Sequence, residues 1–125
     1  MLDLAHGWHI DVDRGPDWIF VRLHVLEDDS AETADLSEII WSLMRQHFSN
    51  CIVLELDEIH CMRSSLIGQI VLLQKRVHND GGLLRICGLS ENNQQVLRIS
   101  QLGSRFPSYP NRADAVMGRR LSLNC

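Results

Sequence analysis

The spacing of hydrophobic positions changes several times along the chain, and each change marks an element. From His6 to Val12 the run "HGWHIDV" alternates weakly. After a turn signal at Gly15-Pro16-Asp17, "DWIFVRLHVL" alternates more strongly, and the two predict an antiparallel strand pair. Beyond "EDDSAE", which offers Asp28, Asp29 or Ser30 near a helix start, Leu36, Ile39, Ile40, Leu43 and Met44 recur at helical spacing. This predicts a helix from about Thr33 to about Phe48, broken by Ser49-Asn50. "CIVLEL" is short, apolar and rich in β-branched residues, the pattern of a central strand covered on both faces. The next helix, Ser65 to His78, carries Leu66, Ile70, Leu73 and Val77 on one stripe. It closes in "NDGG", where Asn79, Gly81 and Gly82 tolerate left-handed backbone. "LLRICGL" reads as a second buried strand. A further helix opens on Ser90 as cap, with Glu91 at the positive end of its dipole, and is expected to end near Gly103. "RFPSYP" is extended, and Asn111 caps a short last helix.

A strand pair followed by strand–helix alternation defines an α/β fold: a mixed, mostly parallel β-sheet with helices packed mainly on one face, one layer of strands and one of helices. No repeat, low-complexity run or linker divides the chain, so residues 1–125 are expected to form a single domain.

Composition narrows the function classes. At 45% hydrophobic and 22% charged residues the chain matches ordinary globular proteins. It contains no apolar window near the roughly 18 residues a membrane helix needs, and no signal-peptide pattern at its start, so it reads as cytoplasmic. Its net charge of −4 provides no field that would draw a nucleic-acid backbone or an anionic membrane, a local patch at Arg119 and Arg120 aside. Cys51, Cys61, Cys87 and Cys125 lack a CxxC spacing, and the histidines lack an HxxxH or ExxH spacing; reduced structural thiols and no metal site are expected. Trp8 and Trp18 read as packing residues of the strand pair, and Trp41 as a core aromatic or an interface anchor on the first helix.

One stretch concentrates chemistry. "LELDEIHCMRSSLIGQ" joins the central strand to the next helix through a loop that ends in Arg63, Ser64 and Ser65. It resembles the STAS domain family of anti-sigma factor antagonists, whose strand ends in an "LDLS" type sequence and whose next helix opens on "DSSGLG". The segment from Leu73 to Val116, "LQKRVHNDGGLLRICGLSENNQQVLRISQLGSRFPSYPNRADAV", is similar to the family's glycine turn, strand and two later helices. The resemblance spans roughly Trp18 to Met117.

The resemblance implies a STAS-like (SpoIIaa-like) fold and a bacterial regulatory interaction module. Such a module is an anti-anti-sigma factor without catalysis or cofactor of its own, and its partner is an anti-sigma factor that is also a serine kinase. In that family the first serine of the motif is phosphorylated, and the matching residue is Ser64. Met62, Arg63, Ser64 and Ser65 would meet the partner, with the acidic residues Glu27, Asp28 and Asp29 beside them. Two positions depart from the pattern: Arg63 stands for aspartate and Leu66 for glycine. Either Arg63 pairs with a phosphate on Ser64, or the kinase-recognition element is gone and the domain binds unmodified, as a scaffold or homodimer. A simpler reading of the serines is helix capping, worth about 1 kcal/mol; for the acidic loop it is a solvated, helix-favouring turn. An enzyme or small-ligand domain is disfavoured: no glycine-rich phosphate loop is present, no serine, histidine and carboxylate can be grouped from sequence into a nucleophile system, and the closeness of His60 and Ser64 is expected by chance in one short loop.

Overall fold

The computed structural model describes residues 2–3, 8–25, 36–59, 64–99 and 108–117. In chain order they form β1 (Leu2–Asp3), β2 (Trp8–Arg14), β3 (Ile19–Val25), α1 (Leu36–Gln46), β4 (Cys51–Glu55), α2 (Ser64–Asn79), β5 (Leu83–Cys87), α3 (Glu91–Ile99), β6 (Ser108–Tyr109) and α4 (Arg112–Met117). The strands lie in one six-stranded sheet in their sequence order. β1–β2 and β2–β3 are antiparallel, whereas β3–β4, β4–β5 and β5–β6 are parallel. The sheet is therefore mixed and mostly parallel, as the element order predicts.

Alternation along each strand sorts side chains between the two faces. On the front face Ile10, Ile19, Val21, Leu23, Ile52, Leu54 and Ile86 are buried against Leu36, Ile40, Leu43 and Met44 of α1 and Leu66, Ile70, Leu73 and Val77 of α2. The helical stripes expected from spacing are thus the ones that pack. Each fully buried Leu or Ile contributes about 1.5–3 kcal/mol relative to exposure, so this layer dominates the stability. Leu97 brings α3 into the same core.

α4 departs from a single helical layer. It packs Ala115 on the back face against Val53, Cys87 and Tyr109, flanked by Trp18, Phe20 and Val116. Arg85 fastens its end by donating from Nη1 to the carbonyls of Ala115 at 2.6 Å and Val116 at 3.2 Å. The expected caps form: Ser90 Oγ accepts from Asn93 N at 3.2 Å, and Asn111 Oδ1 from Asp114 N at 2.9 Å.

Most element limits shift by a residue or two from expectation, and two shifts have clear causes. α1 stops at Gln46 because Phe48 takes a left-handed φ of 53°. β5 stops at Cys87 because Gly88 does the same at 76°. The expected extension of α3 to Gly103 lies outside the described residues.

Candidate partner-docking site

Residues 56–59 after β4 and the first turns of α1 and α2 lie at one end of the sheet, beyond the carboxyl ends of the parallel strands. Three contacts fix this stretch after β4. Leu56 N donates to Cys87 O at 3.0 Å, and Ile59 N closes a turn onto Leu56 O at 3.1 Å. Asn93, fully buried on α3, donates from Nδ2 to Ile59 O at 2.9 Å. A buried amide on one helix thereby satisfies a carbonyl that would otherwise be desolvated without a partner. His60, Cys61, Met62 and Arg63 lie outside the described residues.

α2 is helical from Ser64, so Ser64 belongs to the first turn, where backbone N–H groups have no partner inside the helix. Ser65 is exposed on that turn. Leu66, at the family's glycine position, faces the other way and is 2% exposed in the core; this departure from the motif therefore alters packing and leaves the outer surface unchanged. The outward strip continues through Gly68, around which a Cβ would meet nothing within 4 Å, to Leu72, which is 51% exposed. A mid-helix glycine costs about 1 kcal/mol relative to alanine, and no close packing among the described residues requires it here.

The starts of α1 and α2 are joined directly. Gln69 Oε1 accepts from the backbone N of Ser37 at 3.0 Å, one of the orphan donors of the first turn of α1. The segment containing Glu27, Asp28 and Asp29 leads into α1 but lies outside the described residues. Of the predicted docking residues, the structure positions Ser64 and Ser65; Met62, Arg63 and the three acidic residues fall outside its description. The same holds for His60, and with it any His60–Ser64 arrangement.

Beneath the loop, on the back face, the end of β4 carries a charged cluster. Glu55 is 2% exposed and faces two arginines. Arg112 Nε donates to its Oε1, and Arg22 Nη2 stands 2.7 Å from its Oε2 as an ion pair without good hydrogen-bond alignment. Arg112 also binds Asp13 at 2.9 Å and lies over the Phe20 ring at 4.4 Å. Arg22 Nε approaches Asp57 at 3.4 Å. The hydrogen bond to Glu55 raises the Arg112 guanidinium further above its ordinary range. Burial, assisted by the nearby Glu55 and Asp57 carboxylates, pushes the Cys87 thiol up to about 12, which makes it a poor nucleophile.

Arg22, Glu55, Asp57, Cys87 and Arg112 line a cleft of about 180 Å³ with Gly88, Pro110 and Asn111. Glu55 already occupies both arginines, so the cleft reads as structural. Among the described residues no three His, Cys, Asp or Glu side chains are grouped to hold a metal ion, and no helix is long and apolar enough to cross a membrane.

Glu55, Asn93, Gly68 and Leu72 were not singled out by sequence reasoning. Asn93 left a faint signal: it stands four residues before Leu97 on the buried stripe of α3, where an amide needs a partner. Gly68 left a clearer one: it stands at the last glycine of the family's "DSSGLG" pattern, inside a strong helical pattern.

The STAS domain family model matches residues 19–115, and the chain belongs to the STAS family. Solved structures share the fold at low identity. An anti-sigma factor antagonist from Mycobacterium paratuberculosis is 15% identical with a TM-score of 0.74, over 94% of this chain and 97% of that one. The anti-sigma factor antagonist SpoIIAA in its unphosphorylated form is 16% identical with a TM-score of 0.62, over 88% and 97%. The Bacillus cell fate determinant SpoIIAA in its phosphorylated form is 13% identical with a TM-score of 0.61, over 88% and 98%.

Proposed function

We propose that this chain is a regulatory docking module that binds an anti-sigma factor acting as a serine kinase, through the loop at Met62 and Arg63 and the first turns of α2. The observation that carries the reading is the outward strip Ser65, Gly68 and Leu72: a polar first turn, a glycine with open space above it and an exposed leucine. A glycine there lets a partner backbone approach the helix closely, and the leucine supplies an apolar anchor beside it. Membership of the STAS family and the shared fold of anti-sigma factor antagonists support the choice of partner.

Ser64 is the phosphate acceptor in this reading. A phosphate there would add about −1.5 to −2 charges at the positive end of α2, where an anion is favoured by the helix dipole. Arg63 is its nearest cation in sequence. With Leu66 turned into the core, one of the two departures from the family motif leaves the docking surface intact. The acidic residues Glu27, Asp28 and Asp29 precede α1, whose first turn is tied to α2 by Gln69, so they belong to the same proposed surface.

The test is partner capture by the wild-type chain and by Gly68→Arg from lysates of the native cells. Arginine is a better helix former than glycine, and the space at Gly68 is open, so the variant should melt no lower than wild type. The expected result is recovery of an anti-sigma-type kinase by wild type and at least about a tenfold loss in the variant. Equal capture by both would remove this strip from the docking surface.

A further inference from the structure

The four residues after β4 are held from three neighbouring elements. β5 holds Leu56, whose N donates to Cys87 O at 3.0 Å, and Ile59 N then closes the turn onto Leu56 O at 3.1 Å. On the back face Asp57 packs so closely on Gly88 that a Cβ there would lie 2.9 Å from the Asp57 Cβ, and Arg22 Nε of β3 stands 3.4 Å from the Asp57 carboxylate. On the front face Leu56 and Ile59 belong to the apolar core. The third element is α3, from which Asn93 Nδ2 donates to Ile59 O at 2.9 Å across 34 positions of sequence.

Asn93 is an unexpected residue for its place. It is fully buried on the stripe that carries Leu97, where an apolar side chain would serve packing, and asparagine is a poorer helix former than leucine. A buried amide costs stability unless its hydrogen bonds are met. The backbone that carries it is well fixed: Asn93 N donates to Ser90 Oγ at 3.2 Å, Gln94 N to Ser90 O at 2.9 Å, and Gln94 Nε2 to Leu89 O at 3.1 Å. The capped first turn of α3 is thus a mount, and the amide on it reaches out of the helix to the main chain of another segment. α3 itself has no need of that bond; the placement of Ile59 does.

We infer that Asn93 is a positioning residue of the docking surface at the start of α2. The inference rests on the docking reading above and names what keeps that surface in shape. Four residues separate Ile59 from Ser64, and α2 is seated in the front core through Leu66 and Ile70. Both ends of this short connection are therefore fixed to one core, the far end by apolar packing and the near end by the Asn93 amide. A partner that meets a surface already in shape has less freedom to remove on binding. If the fraction of chains in that shape falls, the apparent affinity falls by the same factor.

Asn93→Leu keeps the branched outline and removes the donor, and Asn93→Ala removes it without added bulk. Val77→Ala, a buried change at the far end of α2, controls for lost stability. In hydrogen exchange of the purified chain, the Ile59 amide should exchange at least about tenfold faster relative to that of Leu54 in both Asn93 variants, with the ratio unchanged in Val77→Ala. Titrated against the kinase that wild type captures, both Asn93 variants should bind about tenfold more weakly, and Val77→Ala like wild type. Unchanged relative exchange at Ile59, full affinity in the Asn93 variants, or an equal loss in Val77→Ala would each overturn the inference. A wild-type chain that captures no kinase overturns the docking reading and this inference together, whereas a captured kinase indifferent to Asn93 overturns this inference alone.

Discussion

The two faces of the sheet are held by different physics. Among the described residues, the front face buries a continuous apolar layer under two long helices and part of a third, with no charge inside it. The back face is covered by one short helix, and its most buried side chain in β4 besides Val53 is the carboxylate Glu55. An apolar core gains stability from every atom it removes from water. A buried carboxylate must first repay its desolvation, so its ion pairs add orientation more than net energy. Here that orientation is useful: Arg112 ties α4 to β2 and β4, and Arg22 ties Glu55 to Asp57 at the root of the loop that leads to Ser64.

Substitutions of matched severity should separate the two regimes. Leu54→Ala, in the centre of the front layer, should lower unfolding free energy by about 3–5 kcal/mol in chemical denaturation, because a fully buried leucine leaves a cavity. Replacing both Arg22 and Arg112 by methionine strands Glu55 in the interior and should cost about 3 kcal/mol, the low end for a broken buried pair. The arginines are 39% and 38% exposed, so water can follow where they leave. Glu55→Leu should be neutral to within about 1 kcal/mol, since it removes the buried charge and frees guanidiniums that already reach solvent. A large loss from Glu55→Leu together with a small one from the arginine pair would reverse the comparison.

The front face was legible in the sequence because periodicity reports burial directly: the stripes Leu36–Met44 and Leu66–Val77 and the run at Cys51 each need only their own spacing. The back-face cluster was not. Glu55 sits in "CIVLEL" as one charge in an apolar run, and its partners Arg22 and Arg112 lie on distant elements, so only the register of β3 against β4 and the placement of α4 bring them together. The same limit applies at the proposed docking site. The motif identified Ser64, but that Leu66 turns inward, that Gly68 faces open space and that Asn93 holds Ile59 O are results of three-dimensional placement. Phe48 was legible only as a helix boundary; nothing in the spacing announced its left-handed φ of 53°.

The smallest effect concerns pH. The Cys87 thiol rises from 9.0 to about 12 in the folded chain through burial and the neighbouring carboxylates. Its folded value exceeds its unfolded one, so its contribution is fully present below pH 9.0 and is lost as pH rises towards 12. Comparing the alkaline limb of thermal stability in wild type and Cys87→Ala should show a shallower decline in the variant. Identical slopes would mean that the back face leaves this thiol as free to ionise as the unfolded chain does.

The central claim is that the start of α2 is where a serine kinase partner acts, and intact-mass measurement of the chain recovered from its native cells tests it most directly, with Ser64→Ala as control. A single phosphate adduct is expected on wild type under growth or stress conditions and none on the variant. An unmodified wild-type chain under all conditions, still capturing the same partner, would contradict the switch and leave a constitutive binding module in its place.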